Sequence, residues 1–229
     1  MPASKDIPWK RLAAEGAAVV VSILLAFAID AWWADRMEYR AQRVELARLH
    51  GEFSEISRQL ELESREEITA AGIELLQMSR EQVDRDEPLE VSDALLSDLT
   101  FYGNFDVATP VLDGIILSGR LDRFESERVV SAIFEWRLAI KEVMENDNRL
   151  REIATAQLIP ELAERGNVSS ALLRTRSDPE KTIKLLVDDE FEGHLALRIR
   201  MNRIFDRRLR SLRPIVDEVI AAVEHALEN

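Results

Sequence analysis

The residues best suited to bind a ligand are arginines concentrated near the C-terminal end of the sequence: Arg198, Arg200, Arg203, Arg207, Arg208, Arg210 and Arg213. A guanidinium group is planar and presents its N–H donors as a fork that matches a carboxylate or a phosphate. We therefore predict a site for an anion or an acidic protein partner, formed by Arg198, Arg203, Arg207 and Arg210. The alternative interpretation is that these arginines pair with acidic residues of a neighbouring helix and only set its alignment.

A second group of residues with chemical potential lies within an apolar stretch near the N-terminus. Small or polar residues recur there at intervals of four positions: Ala14, Ala18, Ser22, Ala26 and Asp30. In lipid, a stripe of small residues lets helices approach closely and favours self-association, and an acid inside a membrane helix is a candidate proton or cation site. The candidate association or ion site therefore comprises Glu15, Ser22, Ala26 and Asp30. The alternative is that both acids lie at headgroup depth, where water hydrates them.

Catalytic, cofactor and metal sites are not predicted from this sequence. There are no cysteines, so thiol catalysis, disulfides and cysteine metal sites are excluded. His50, His194 and His225 lie far apart without the spacing of metal ligands. The sequence also lacks a glycine-rich phosphate loop, a GxSxG elbow and an HExxH motif. We therefore predict that the protein is not an enzyme.

The element that positions the N-terminal acids is the stretch from Leu12 to Trp33, which has the length and composition of a transmembrane helix. Residues 16–29 carry no charge, while Trp9 on one side and Trp32 with Trp33 on the other fit the two membrane interfaces. Two alternatives remain at this point. One is a buried core helix, and the other is a cleaved signal peptide, because Ala26-Phe27-Ala28 resembles a cleavage site.

Composition describes the remainder of the chain. The 229 residues are 32% charged and carry a formal net charge of -13, and the first 34 residues sum to zero, so the excess of acid lies beyond them. This charge argues against nucleic acid as a partner. Glycine and proline number only 8 and 7, which favours an all-α fold. We assign residues 1–11 to a short polar tail, 12–34 to a transmembrane helix, and 35–229 to an acidic soluble helical bundle.

The helix that follows the span has a heptad pattern in its apolar residues: Leu46, Leu49, Phe53, Ile56 and Leu60. The pattern shifts at Ser64 and resumes at Ile68, which we interpret as a stutter in one continuous helix from about Asp35 to Arg85. The many acids of this helix, Glu52, Glu63 and Glu66 among them, are predicted to form a solvated face.

The later helices are marked by caps and breaks. Thr109 is predicted to cap a short helix that starts at Pro110 and stops at Gly119, and Ser126 to cap a long one. The long helix is interrupted at Asp147, where an apolar residue would continue its series, and it is expected to bend near Pro160 and to end at Gly166. A last long helix starts at Asp188 or Asp189 and also has a regular seam. Three long and several short helices predict an antiparallel bundle.

Two blocks of this sequence resemble a known family. ILLAFAIDAWWADR, at 23–36, and TPVLDGIILSGRLDRFESERVVSAIFEW, at 109–136, are similar to a widespread group of uncharacterised bacterial single-pass membrane proteins with a domain of unknown function. The resemblance extends from about Glu15 to Trp136 and implies no assigned activity. It implies an N-terminus in the cytoplasm and a bundle on the periplasmic side of the inner membrane, while the lysines and arginines on both sides of the span leave a cytoplasmic bundle open.

These observations predict a membrane-anchored helical bundle that acts as an interaction or sensory module and forms homo-oligomers through its transmembrane helix. Its expected partners are the lipid bilayer, other copies of itself and a protein partner. The alternative function is a small oligomeric pathway for ions or protons that uses the acidic residues of the transmembrane helix.

Overall fold

The computed structural model describes residues 9–83, 87, 90–165 and 179–228, with 9–16, 83, 93, 99, 165 and 179 described in their backbone only. These residues form helices joined by short connections, with no strand among them, which confirms the predicted all-α class. The α-helices are α1 (Trp9–Leu62), α2 (Glu66–Val83), α3 (Asp93–Thr100), α4 (Pro110–Leu117), α5 (Glu127–Glu152), α6 (Ile159–Arg165), α7 (Pro179–Leu186) and α8 (Asp189–Glu228).

The chain divides into two units, one that ends at Arg48 and one that begins at Leu49. In the first unit, every described side chain from residue 17 to residue 41 is exposed. Its apolar stretch has a mean hydropathy of 2.0 over 18 residues, and among the described residues it forms the one helix that is long and apolar enough to cross a membrane. A soluble core helix buries such a stretch, and this one is not buried at all.

In the second unit, α8 runs antiparallel to α2. Arg80 near the end of α2 lies 3.9 Å from Glu192 near the start of α8, while Glu66 at the start of α2 lies 3.4 Å from Arg210. These pairs therefore fix the register of the two helices along most of α2.

Helix α8 also runs antiparallel to α5. Arg128 at the start of α5 pairs with Glu218 at 2.7 Å, and the Asn146 amide near its end donates to the backbone oxygen of Met201 at 3.2 Å. The last turns of α1 lie beside α5 as well, because the rings of Phe53 and Trp136 meet edge to face with centroids 5.3 Å apart. The bundle is thus built from α8 against α5 and against the pair formed by α1 and α2.

The predicted single helix from Asp35 to Arg85 is wrong in one respect. The helix ends at Leu62 and a new one starts at Glu66, so that residues 63–65 form a break. The shift of the heptad pattern at Ser64 marks the correct place, but a stutter keeps a helix intact, whereas here the backbone leaves the helix. The break exposes polar backbone groups, and the Asp206 carboxylate accepts the freed N–H of Arg65 at 2.8 Å.

The predicted caps are partly confirmed. Ser126 accepts a hydrogen bond from the backbone N–H of Val129 at the start of α5, and Gly119 after α4 has a φ of 67°, which favours glycine. Thr109 does not cap α4 with its side chain. The Glu52 carboxylate of α1 does so instead, accepting from Val111 N at 2.7 Å and Leu112 N at 3.0 Å. Glu52 is therefore a structural cap across helices and not part of a solvated face.

The predicted irregularity near Pro160 takes the form of a π-helix, Ile153–Leu158, between α5 and α6. A proline has no N–H to donate and crowds the preceding turn, and a local change of the hydrogen-bond pattern accommodates it. The predicted end at Gly166 lies outside the described residues. The start of α8 is as predicted, because Asp188 accepts hydrogen bonds from Glu190 N at 3.1 Å and Phe191 N at 3.2 Å.

The buried apolar residues fall into two stretches along the bundle. One includes side chains of α1, α4, α5 and the later part of α8: Phe53, Ile56, Leu112, Ile133, Trp136, Leu212 and Val216. The other is a cluster centred on α2 and the first turns of α8: Leu75, Leu96, Leu158, Leu162, Leu186, Phe191 and Leu195. Buried polar residues lie between these stretches, at Arg65, Asp147 and Asn202.

Candidate functional site

The predicted arginines line a groove between α2 and α8. Two adjoining cavities of about 600 and 410 Å³ make up this α2–α8 groove, and both are lined by Ile73, Arg203 and Arg207. The first cavity is further lined by Leu76, Ala196, Ile199, Arg200 and Ile204, and the second by Glu66, Thr69, Ala70, Asp206 and Arg210. The groove therefore combines an apolar floor with a basic rim.

The basic rim of the α2–α8 groove is only partly neutralised. Arg210 lies 3.4 Å from Glu66, and both side chains are exposed. Arg200, Arg203 and Arg207 are exposed and form no hydrogen bond or ion pair with the part of the chain that the structure describes. Arginines that served only to align helices would be paired across them, so this arrangement favours a ligand with negative charge.

Arg198 does not belong to this groove, so the four predicted arginines do not form one site. Arg203, Arg207 and Arg210 share an exposed face of α8, whereas Arg198 points into the bundle and is only 2% exposed. The reason is helical geometry, since Arg198 stands three residues after Leu195 and four before Asn202, within the buried seam of α8. Burial, with a contribution from the charge of Arg65, lowers the pKa of Arg198 to about 10, which still leaves it charged at neutral pH.

A buried polar cluster lies beside Arg198, at the break between α1 and α2. The Arg65 guanidinium pairs with Asp147 at 3.3 Å and with Glu63 at 2.8 Å, and it stacks 4.9 Å from the centre of the Phe205 ring. Asp147 is 3% exposed and accepts two further hydrogen bonds, from Arg151 Nη2 at 3.2 Å and Phe105 N at 3.3 Å. Asp147 is thus the acceptor that joins three segments of the bundle.

The chain makes room for the Arg65 side chain at Gly103. A Cβ atom placed on Gly103 would overlap the guanidinium nitrogens of Arg65. The Arg198 side chain donates from Nη2 to the backbone oxygen of the nearby Phe101. The segment that follows α3 is therefore held against two buried arginines from different parts of the chain.

The sequence does not predict this cluster, although it marks one of its positions and the neighbour of another. Asp147 interrupts the apolar series of α5, and Ser64, next to Arg65, marks the shift in the heptad pattern. A polar residue in the apolar seam of one helix indicates a buried polar contact when the seam of a second helix is also interrupted at the same level of the bundle. No local pattern identifies Arg65 as the partner, because 82 positions separate it from Asp147.

We expect Asp206→Asn to change the pH dependence of stability. Burial raises the pKa of Asp206, so the folded protein holds the proton of this carboxyl group more tightly than the unfolded chain does. The stability that the protonated Asp206 contributes is fully present below the unfolded-state pKa of about 4. It is lost as pH rises through the higher folded-state pKa. The variant should therefore gain stability relative to the wild type between about pH 4 and neutrality, as measured by urea unfolding at several pH values.

The asparagine side chain of this variant keeps an oxygen that can accept the Arg65 N–H, which makes Asp206→Asn a test of charge. A difference in unfolding free energy between the two proteins that is constant over this pH range would contradict the assignment.

The structure describes the side chains of three of the four residues in the predicted transmembrane site. Ser22, Ala26 and Asp30 are exposed on α1, and the Ser22 hydroxyl donates to the backbone oxygen of Ala18 at 2.8 Å, within its own helix. The side chain of Glu15 lies outside the described part of the chain. Spacing of four along one helix keeps Ala18, Ser22, Ala26 and Asp30 on a slowly turning side of α1. Their role in association or ion passage stays a prediction.

Two of the histidines pair with glutamates. His194 Nδ1 lies 2.5 Å from Glu161 Oε1, and His50 Nε2 lies 2.9 Å from Glu224 Oε1. No group of three or more histidine, aspartate or glutamate residues suited to a metal ion occurs among the residues whose positions are described.

Comparison with known proteins adds no family. No protein-family model, curated protein or solved structure matches the chain. The resemblance to bacterial single-pass membrane proteins therefore stays a prediction from the sequence, and the function rests on the physical features of the molecule.

Proposed function

We propose that the protein is a single-pass membrane protein whose helical bundle binds an acidic protein partner in the α2–α8 groove, without catalytic activity. The observation that carries the proposal is the set of exposed guanidinium groups at Arg200, Arg203 and Arg207, which find no acceptor among the described residues. They stand above apolar side chains in an otherwise acidic protein of net charge -13. A basic groove attracts a partner that carries negative charge.

The exposed apolar stretch of α1 supports the anchor. Val19, Leu24 and Leu25 are 59%, 62% and 60% exposed, and at about 100° per residue they point to three different sides of the helix. Burying such side chains in hydrocarbon is favourable by roughly 25 cal/mol for each Å² removed from water. We place the anchor in a bacterial inner membrane with the bundle on its periplasmic side, and we expect homo-oligomers that form through Ala18, Ser22 and Ala26.

The shape of the α2–α8 groove specifies the partner further. Arg203, Arg207 and Arg210 are spaced by four and three residues, so their stems rise along about 10 Å of α8. Ile73 and Leu76 of α2 and Ile204 of α8 supply the apolar floor. A helix that presents acids one turn apart beside an apolar stripe matches both features.

A synthetic helical peptide tests this proposal, with glutamates at every fourth position next to a stripe of leucines. We expect the full chain in non-ionic detergent to bind the peptide and to bind it more weakly as salt rises. The double variant Arg203→Glu, Arg207→Glu should lower the affinity at least about tenfold, because two attractive contacts become repulsive. Fluorescence anisotropy of a labelled peptide gives the affinity.

The matched control is Arg137→Glu, which reverses one exposed arginine of α5 that has no partner among the described residues. Its affinity for the peptide should equal that of the wild type. If the double variant bound the peptide as tightly as the wild type, or if the wild type did not bind it, the proposal that the α2–α8 groove binds an acidic helix would be refuted.

The same protein in lipid vesicles tests the anchor separately. The chain should stay with the vesicles after an alkaline wash, added protease should cut only the bundle that faces it, and chemical cross-linking should yield oligomers of the vesicle-bound chain. Release by the alkaline wash would exclude a spanning helix, whatever the peptide does.

A further inference from the structure

We propose that Arg198 and Asn202 form a second, buried site that holds a small inorganic anion of the size and charge of chloride. Arg198 and Asn202 are both 2% exposed and stand one turn apart on the inner side of α8. One guanidinium nitrogen of Arg198, Nη2, donates to the backbone oxygen of Phe101. The others, Nε and Nη1, and the Asn202 amide nitrogen are buried without an acceptor among the described residues.

The chemistry of these groups favours an anion over a water molecule. Nε carries one N–H, and Nη1 and the Asn202 amide nitrogen carry two each, so these three atoms offer donors only. A water molecule accepts at most two hydrogen bonds and carries no charge, so it would satisfy only part of these five N–H groups. A halide ion accepts several N–H bonds and needs none in return.

The positive charge of Arg198 also favours an anion as the ligand. Arg198 forms no ion pair with a carboxylate in the described part of the chain. The charge of Arg65, which is also positive, acts on Arg198 and lowers its pKa further. A buried cation without a counter-ion is strongly unfavourable, and a bound anion would supply the missing charge.

This site is distinct from the α2–α8 groove. The groove arginines are exposed, whereas Arg198 points into the bundle next to the segment that follows α3. A ligand in the groove would touch the outer face of α8, and the proposed anion would lie against its inner face. Each site can therefore be present without the other.

A chloride titration of the full chain in non-ionic detergent tests the proposal. Ionic strength is kept constant with sodium methanesulfonate, whose anion is bulky. We expect a saturable rise of the thermal unfolding midpoint, of about 5–10 °C at a chloride concentration about one hundred times the dissociation constant. The variant Arg198→Met should lose this response, while Arg137→Met, which removes one exposed charge of α5, should keep it.

A second variant keeps the test decisive if Arg198→Met does not fold. Asn202→Asp places a carboxylate one turn from Arg198, so it should remove the chloride response and raise the midpoint measured without chloride. A wild-type midpoint that does not change with chloride would overturn the proposal. A wild-type response that survives in Asn202→Asp would overturn it as well, because chloride would then act elsewhere.

Discussion

Replacing Asp147 with alanine is expected to lower the free energy of unfolding by about 3–5 kcal/mol, the usual cost of removing one partner of a buried ion pair. The substitution takes the acceptor away from the buried guanidinium of Arg65 and from the donors of Arg151 and Phe105. These groups stay inside the bundle, where an unpaired charge is far more costly than a lost contact at the surface. Urea unfolding followed by circular dichroism measures the loss.

The control for this change is Asp217→Ala, which removes an exposed aspartate of α8 with no partner among the described residues. Its effect should stay within about 0.5 kcal/mol, as for most surface substitutions. A loss of similar size in both variants would mean that the cluster is more hydrated than its burial indicates.

Gly103→Ala is expected to cost about 2–4 kcal/mol, although it adds only one methyl group. The added Cβ would overlap the Arg65 guanidinium, so either the arginine leaves Asp147 or the backbone after α3 moves away. The unfolding free energy measured in urea reports the loss. Since Gly103→Ala and Asp147→Ala both act through Arg65, a double variant should lose less than the sum of the two single losses.

Gly51→Ala is the matched control, because a Cβ there meets nothing within 4 Å and Gly51 lies inside α1. Alanine is the better helix former, and the substitution should raise stability by about 0.5–1 kcal/mol. Equal effects of the two glycine substitutions would show that Arg65 has room to move, and additive effects of Gly103→Ala and Asp147→Ala would show the same.

Local patterns in the sequence were sufficient for the helices. The heptad of α1, the caps at Ser126 and Asp188, and the stop at Gly119 each depend on residues a few positions apart, and the structure has them. The break at residues 63–65 was visible as a shift of phase, but a stutter and a chain break produce the same spacing of apolar residues. Only contacts with other helices decide between them.

The candidate site was predictable to a lesser degree. Helical geometry alone separates Arg198 from the groove arginines, since it occupies a seam position between Leu195 and Asn202, and a strict heptad assignment of α8 would have found this. The absence of ion pairs around Arg203 and Arg207 within the described part of the chain was not predictable. It depends on which face of α2 lies opposite, and the sequence does not specify how two helices that are distant along the chain are rotated against each other.

The cap on α4 shows the same limit. Glu52 and Val111 are 59 positions apart, and nothing in the sequence around either residue indicates that they meet. Thr109 and Pro110 had the residue types of a helix start, and the start is there, but a carboxylate from α1 provides the hydrogen bonds. The sequence thus predicts where a helix begins or ends, but it does not predict which distant residue provides the capping hydrogen bonds.

The polar cluster between the two stretches of apolar core has a consequence for how the bundle opens. Apolar contacts couple neighbouring turns over short distances, so a layer centred on Arg65 and Asp147 interrupts that coupling between the Trp136 region and the Leu75 region. Proteins open in contiguous cooperative units, and we expect the border between two such units to lie at this polar layer. The amide hydrogens of α2 and α7 should then exchange as one unit and those of the first half of α5 as another, with α8 as the long helix common to both.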